Sequence, residues 1–243
     1  MGKPVGIARY TIAALAALAA CVLAGCGPRA AIPLRPPTPA PAVAADAADS
    51  ALARANAPTL YLQPDETFRL ERIVAVVHPN RRLIGYHLLW RDDAHGAWLP
   101  FTIPTDQEVG WVGVDEAGEP SELWTYWHGV VLHAAWRHRG RPAIDVQWGK
   151  HGSMPRHTRP EDLPFPRTHA TFFALAWLLP DLWLGAIERD GPLCFCRGYR
   201  RYRTFSEPLP LADRLDVIVR TDDPGEILRG AFGERYSKKR AWP

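Results

Sequence analysis

The sequence lacks the motifs that identify several common enzyme classes. It contains no internal repeat, no P-loop, no dinucleotide-binding fingerprint and no Gly-x-Ser-x-Gly motif of serine hydrolases. Cysteine is scarce, at 4 of 243 residues, and the formal net charge is only +3. Removing an N-terminal leader with its two cations, Lys3 and Arg9, lowers that charge to about +1. So weak a charge argues against general nucleic-acid binding, which needs a basic surface.

Residues 1–25 have the features of a lipoprotein signal peptide. Positive residues precede a largely apolar run, Thr11 to Leu23, which is too short for a helix to cross about 30 Å of hydrocarbon. The run ends in Leu-Ala-Gly-Cys and resembles the bacterial lipobox, so we expect Cys26 to be lipidated. By the same resemblance, Gly27 indicates the outer membrane, with the protein facing the periplasm. The alternative is an ordinary signal peptide cleaved nearby, which leaves Cys26 as a free thiol.

The rest of the chain divides into a spacer and one domain. Residues 26–57 are rich in alanine and proline and predict a disordered linker on the lipid anchor. Within it, residues 44–55 could form a transient helix, but nothing indicates that it packs. Residues 58–243 are long enough for a single domain with a real core. Short strands separated by turn signals predict that this domain is mainly β, an antiparallel β-sandwich with one or two helices. Residues 73–77 and 83–90 predict two paired strands joined by a turn at 79–82, with Ile84, Tyr86, Leu88 and Trp90 on one face of the second strand.

The segment from residue 106 to residue 155 contains five of the ten tryptophans. Two runs in it, 130–136 and 142–148, alternate apolar and polar residues with period 2, which predicts an antiparallel hairpin. That register would place His133 across from Asp145. Upstream, Asp106 and Glu108 open another strand and lie two residues apart, so their side chains point the same way. Two carboxylates on one side need a cation, a shared proton or water between them, which favours a hard metal ion.

This segment resembles the vacuolar-protein-sorting-related family, which carries G-D-W-E and later R-P-V-x-Y-V-A-x-G-S-H-A, and more distantly the necrosis-inducing secreted proteins. It differs in having Gln107 where tryptophan is usual. The resemblance implies a β-sandwich with a divalent cation, Mg²⁺ or Ca²⁺. Asp106 and Glu108 would hold it, and His128 and His151 would serve as ligands or as general acid and base. The matching positions are Asp106, Glu108, Trp127-His128-Gly129, Arg141-Pro142 and Gly149-Lys150-His151-Gly152.

Three features of the C-terminal third are ambiguous in sequence. Residues 168–179 predict a buried helix. Cys194 and Cys196 predict buried thiols or a strained disulfide, with metal or redox chemistry as the alternative. A basic and aromatic run could contact anions or lipid headgroups, or be an ordinary solvated strand. The arginines of that run are Arg197, Arg200, Arg201 and Arg203.

Two functional hypotheses follow from these patterns. The first is a non-catalytic binding or structural module of the bacterial cell envelope, anchored to the membrane and contacting a lipid, glycan or protein through its aromatic surface. The second is a metal-dependent, hydrolase-like site at the end of the sandwich, acting on envelope lipid or glycan. The lack of a nucleophile motif ranks the first hypothesis equal to or above the second.

Overall fold

The computed structural model describes residues 44–64, 66, 68–91, 106–159, 162–164 and 205–243. These residues form ten strands, two α-helices and two short 3₁₀ helices, Ala212–Arg214 and Gly233–Arg235. The other elements, in chain order, are α1 (Ala47–Ala55), β1 (Thr59–Leu62), β2 (Leu70–Val77), β3 (Leu83–Trp90), β4 (Asp106–Val114), β5 (Pro120–Trp127), β6 (Val130–Ala135), β7 (Ala143–Val146), β8 (Ser153–Pro155), β9 (Glu207–Pro210), β10 (Val217–Arg220) and α2 (Gly225–Phe232).

The strands form two sheets, which confirms the predicted mainly β, sandwich-like fold. The larger sheet has the order β10-β2-β3-β4-β5-β6, and the smaller has the order β8-β7-β1-β9. Most neighbours are antiparallel, as expected, but β1 pairs with β7 and β2 with β10 in parallel. Parallel neighbours cannot be joined by a tight turn. Each of these pairs therefore brings together segments that are distant in sequence.

The main core lies between the two sheets. Strand β3 alternates as predicted, with Tyr86, Leu88 and Trp90 in the apolar cluster that also contains Leu60 of β1 and Ile144 of β7. The predicted strand pair β2–β3 with its turn at residues 79–82 is confirmed. The outer face of the larger sheet is covered by α2, which packs on β2 and β10 through a second apolar cluster.

The predicted hairpin between residues 130–136 and 142–148 is wrong. Strand β6 pairs with β5 across the two-residue loop His128-Gly129, whereas β7 belongs to the other sheet and pairs with β1 and β8. His133 therefore does not face Asp145. Its Nε2 contacts Glu122 at 2.5 Å. The alternation that indicated a hairpin is a property of each strand alone and does not specify the partner strand.

Helix α1 packs on the domain, although nothing in the sequence indicated that its segment packs. Asp46 caps the helix by accepting a hydrogen bond from the Asp49 N–H at 2.8 Å, and Ala53 is fully buried in the main core. Tyr86 donates its hydroxyl proton to the Ala53 carbonyl at 2.8 Å. The folded part of the chain therefore begins before residue 58. Its alanine-rich sequence gave no sign of this, because small residues bury little surface yet allow close packing.

Several predictions concern residues outside the described ranges. They include the signal peptide and Cys26, the helix at 168–179, Cys194 and Cys196, and Arg197, Arg200, Arg201 and Arg203. Among the residues that the structure describes, no helix is both long and apolar enough to cross a bilayer.

Candidate functional site

The predicted acid pair lies at the start of β4, on the face directed into the sandwich. Asp106 is the cross-strand neighbour of Trp90, and Glu108 is that of Leu88. Since Trp90 and Leu88 belong to the main core, both acids extend from a core-facing row of β4. Asp106 is 9% exposed and Glu108 is 5% exposed. Carboxylates so deeply buried need charged or hydrogen-bonding partners.

His151 reaches this acid pair from the loop between β7 and β8. The loop is closed by two backbone hydrogen bonds, from the Gln147 N–H to the Gly152 carbonyl and from the His151 N–H to the Gln147 carbonyl. His151 itself has a left-handed backbone, with φ of 50°. Its ring is fully buried, and Nδ1 lies 2.6 Å from Oδ2 of Asp106. Histidine rarely adopts this backbone conformation, so the surrounding contacts must hold the residue there.

Aromatic rings enclose the His151 imidazole. Trp90 stacks on it at 4.1 Å between ring centroids, with the planes 2° apart. Phe68 meets it edge-on at 6.1 Å and 88°. The stacked Trp90 is the cross-strand neighbour of Asp106, so one pair on the sheet supplies both the aromatic face and the carboxylate. His151 is accordingly fully buried.

Glu66 completes the surroundings of His151, and the sequence analysis missed it. Its Oε1 lies 3.5 Å from His151 Nε2, an ion-pair distance longer than a good hydrogen bond. The same carboxylate accepts hydrogen bonds from the backbone N–H groups of Phe68 and Gly149, at 2.9 and 2.8 Å. Glu66 therefore ties the histidine loop to the segment between β1 and β2. A single acid in a polar segment carries no signal of this role in sequence.

Lys239 provides the cation for the second acid, and it too was missed. Its Nζ lies 2.5 Å from Oε1 of Glu108 and 4.9 Å from the ring centre of Tyr126. The C-terminal segment that carries it is attached along β4. The Ser237 N–H donates to Oε1 of Gln107 at 2.9 Å, and Trp111 Nε1 donates to the Ala241 carbonyl at 2.7 Å. The acid pair thus receives a cation, as its chemistry requires, from the chain itself.

The protonation of the site follows from burial and charge. Burial disfavours the His151 cation, but the hydrogen bond to Asp106 and the charge of Glu66 outweigh it, and its pKa is raised to about 9. Burial also raises the pKa of Glu108 to about 8, against the opposing effect of Lys239. The pKa of Lys239 is raised too, because the charges of Glu108 and Asp106 overcome its burial. At neutral pH, His151 and Lys239 are both cations among carboxyl groups.

His128 lies at the edge of this cluster. With Gly129 it forms the loop between β5 and β6, and both have positive φ, 44° and 91°, as a type I′ turn requires. Its Nε2 lies 2.7 Å from Oε1 of Gln147, a residue of the loop that holds His151. The structure therefore brings together three of the four predicted site residues, Asp106, Glu108 and His151, and places His128 beside them with an amide partner.

As arranged, each carboxylate of the site already has a partner within the chain. Asp106 is engaged with His151, Glu108 with Lys239, and Glu66 with two backbone N–H groups. Within the described ranges, no group of three or more His, Cys, Asp or Glu side chains is arranged to hold a metal ion. The arrangement is a buried network of acidic and basic side chains that joins β4, the β7–β8 loop, the segment before β2 and the C-terminal segment.

Comparisons with known proteins identify no family. No family model matches the chain, and no curated protein matches it. A solved structure named "Toxin fold for microbial attack and plant defense" is similar at 16% sequence identity, over 53% of this chain and 75% of that chain, with a TM-score of 0.30. A similarity this distant supports no conclusion about the site. The family resemblance of the segment 106–152 therefore stays a prediction.

Proposed function

We propose that this protein is a non-catalytic binding or structural module of the cell envelope, and that the Asp106–His151 network is a structural lock within it. The observation that carries the proposal is the complete burial of His151 between Trp90 and Phe68, with Nδ1 on Asp106. A general acid or base must come within hydrogen-bond reach of its substrate. The His151 ring is enclosed by its own protein instead.

The charges support the same conclusion. A histidine held as a cation at neutral pH has no free lone pair with which to accept a proton or ligate a metal. Glu108 is already paired with the Lys239 ammonium group. Lys239 comes from the far end of the chain, so this pair closes a loop of about 130 residues. Removing one partner from a buried ion pair typically costs about 3–5 kcal/mol, because the other charge is left buried without compensation.

Partly exposed aromatic side chains on the surface support a binding role. On the outer face of the β5–β6 hairpin, Trp124 is partly exposed and stacks on His133 at 4.9 Å. Trp136 follows β6 and is also partly exposed. Aromatic side chains at a surface are common anchors for partners. We propose an envelope lipid, glycan or protein as the partner, and we expect no binding to nucleic acid.

Membrane attachment through Cys26 is part of the proposal and is supported by the Leu-Ala-Gly-Cys sequence and the spacer that follows it. The location would be the outer membrane, facing the periplasm. The test is metabolic labelling of the full chain with a radioactive fatty acid in a bacterial host. The label should be lost in Cys26→Ser and kept in Cys21→Ser, a matched control within the apolar run. Labelling that survives Cys26→Ser would refute the anchor.

The alternative is a metal-dependent, hydrolase-like site acting on envelope lipid or glycan. The observation in its favour is that Asp106, Glu108 and His151 do converge as that hypothesis requires. For a metal ion to bind, however, the Lys239 ammonium must leave Glu108. The two hypotheses therefore differ in a measurable property, namely whether the folded protein binds a divalent cation at this site.

Metal analysis and thermal unfolding of the full chain in detergent decide between them. We expect no stoichiometric divalent metal, and the same melting temperature with and without millimolar Mg²⁺, Ca²⁺, Mn²⁺ or Zn²⁺. A ligand that binds only the native state would raise that temperature by mass action. One ion per chain, lost in Asp106→Ala but kept in the exposed control Asp213→Ala, would refute the structural lock and favour the metal-dependent site.

A further inference from the structure

A second polar site lies at the opposite end of β3 from the His151 network. It is a cavity of about 270 Å³ beside the β2–β3 turn, bordered by α1 and the end of β10. Pockets for drug-sized ligands are usually about 300–1,000 Å³, so this one suits a small ligand. Its lining includes three arginines, Arg81, Arg82 and Arg220, and one acid, Asp49. The cavity therefore has an excess of positive charge.

The one acid of the cavity is already paired. Arg220 donates to both oxygens of Asp49, at 2.8 and 2.9 Å, and to the Pro79 carbonyl at 2.7 Å. These bonds fix the guanidinium at the rim and use three of its five N–H groups. Since Asp49 is 6% exposed and fully engaged by Arg220, it is not a partner for the other two arginines.

The remaining polar side chains of the lining are mostly hydrogen-bond donors. Within the described ranges, neither the Arg81 guanidinium nor the Asn80 side chain makes a hydrogen bond or an ion pair. Arg82 contacts Glu116 at 3.2 Å, but both side chains are mainly exposed, so that pair is weak. His78 Nδ1 accepts the N–H groups of Asn80 and Arg81, each at 3.1 Å, which leaves the proton of the neutral ring on Nε2.

We propose that this cavity binds a phosphate group. Guanidinium forks match the oxygens of phosphate and form charge-assisted hydrogen bonds with them. The turn brings His78, Asn80 and Arg81 to the lining of the cavity, and Arg220 is held in place beside them. The lining also contains apolar side chains, among them Leu52 and Val114, which suit a short carbon group attached to the phosphate. A phosphate monoester and an anionic phospholipid headgroup share this chemistry.

This site is independent of the proposed function, because it shares no residue with the His151 network or with the aromatic face of β5–β6. The test is calorimetric titration of the full chain in zwitterionic detergent with inorganic phosphate and with glycerol phosphate, at constant ionic strength. Saturable binding is expected for the parent. We expect Arg81→Gln to weaken it at least tenfold and Arg139→Gln, an exposed arginine in another loop, to leave it unchanged.

Vesicles distinguish the two sources of phosphate. The Cys26→Ser chain, which cannot be lipidated at that position, is sedimented with vesicles of phosphatidylcholine alone or with added phosphatidylglycerol. If the protein binds glycerol phosphate, whether or not it also binds the vesicles, the site takes a soluble phosphate ligand. Arg81-dependent binding to phosphatidylglycerol vesicles alone indicates a headgroup site.

Two results would overturn the proposal. One is no saturable binding of either soluble phosphate or the anionic vesicles. The other is equal weakening by Arg81→Gln and Arg139→Gln, which indicates non-specific attraction to positive charge. Arg81 is exposed and makes no bond within the described ranges that its replacement would break, so Arg81→Gln should melt like the parent. If it does not, Asn80→Ala gives a second test, with at least a threefold weakening expected.

Discussion

Replacing Asp106 with asparagine removes the charge that faces the buried His151 ring and keeps the shape of the side chain. In the parent protein the pKa of His151 is raised to about 9, and the ordinary value for histidine is 6.5. At 1.36 kcal/mol for each pKa unit, this difference corresponds to about 3 kcal/mol of stability. Because the folded protein holds the proton more tightly, the stability is present in full below pH 6.5 and is lost as the pH rises through 9.

The asparagine variant should lose most of that contribution, since the Asp106 hydrogen bond is the largest effect that raises the pKa of His151. Asp106 also repels Glu108, and relief of this repulsion makes about 3 kcal/mol an upper bound. We therefore expect Asp106→Asn to be about 2–3 kcal/mol less stable than the parent at pH 6. At pH 9.5 the two proteins should differ much less.

Urea unfolding of the full chain, followed by tryptophan fluorescence between pH 5.5 and 9.5, measures this difference. For a chain of this size, the loss at pH 6 corresponds to a fall in melting temperature of roughly 5–10 °C. Asp213→Asn, which removes an exposed carboxylate, should follow the parent at every pH. Curves of stability against pH that stay parallel for the parent and Asp106→Asn would refute the ion pair as a source of stability.

Three further substitutions test other parts of the structure. Lys239→Met removes the ammonium beside Glu108, whose pKa is about 8. Urea unfolding should show that the variant is less stable than the parent, by a difference in unfolding free energy that grows as the pH rises through 8. A difference that stays constant with pH would contradict this. Gly152→Ala places a Cβ 2.7 Å from Nε2 of His128, so we expect a loss of about 1–3 kcal/mol in the same assay, and an unchanged midpoint would count against this packing. His87 is fully buried, neither of its ring nitrogens is hydrogen-bonded within the described ranges, and burial lowers its pKa to about 3. The stability that the neutral His87 ring contributes is therefore lost as the pH falls from 6.5 through 3. At pH 4.5, thermal unfolding should show that His87→Leu is at least as stable as the parent. A less stable variant at that pH would show that the ring has a bonding role.

Much of the larger sheet could be predicted from sequence. The alternation along residues 83–90 predicted the strand β3 and its core-facing row, and the Pro-Asn turn before it predicted the pairing with β2. The strand that opens at Asp106 was predicted together with the shared side of its two acids. Local patterns succeed here because neighbours in the chain are also neighbours in the sheet.

Partner choice between distant strands was not predictable in the same way. Strands β6 and β7 have suitable patterns for a hairpin and are adjacent in sequence, yet they lie in different sheets. The parallel pairing of β1 with β7 joins segments about 80 residues apart. Such pairing depends on how two whole sheets bury their apolar faces, so no local sequence pattern predicts it.

The sequence by itself determined a mainly β domain, the core-facing rows of its central strands, and the requirement that a buried acid pair find positive charge. Only the tertiary structure decided which positive charge that is. His151 and Lys239 reach the acids from a loop and from a segment about 130 residues away, and Trp90, Phe68 and Glu66 surround the histidine. The reason is that burial removes water as a partner for every charge in the core, so the folded chain itself must bring each carboxylate its cation.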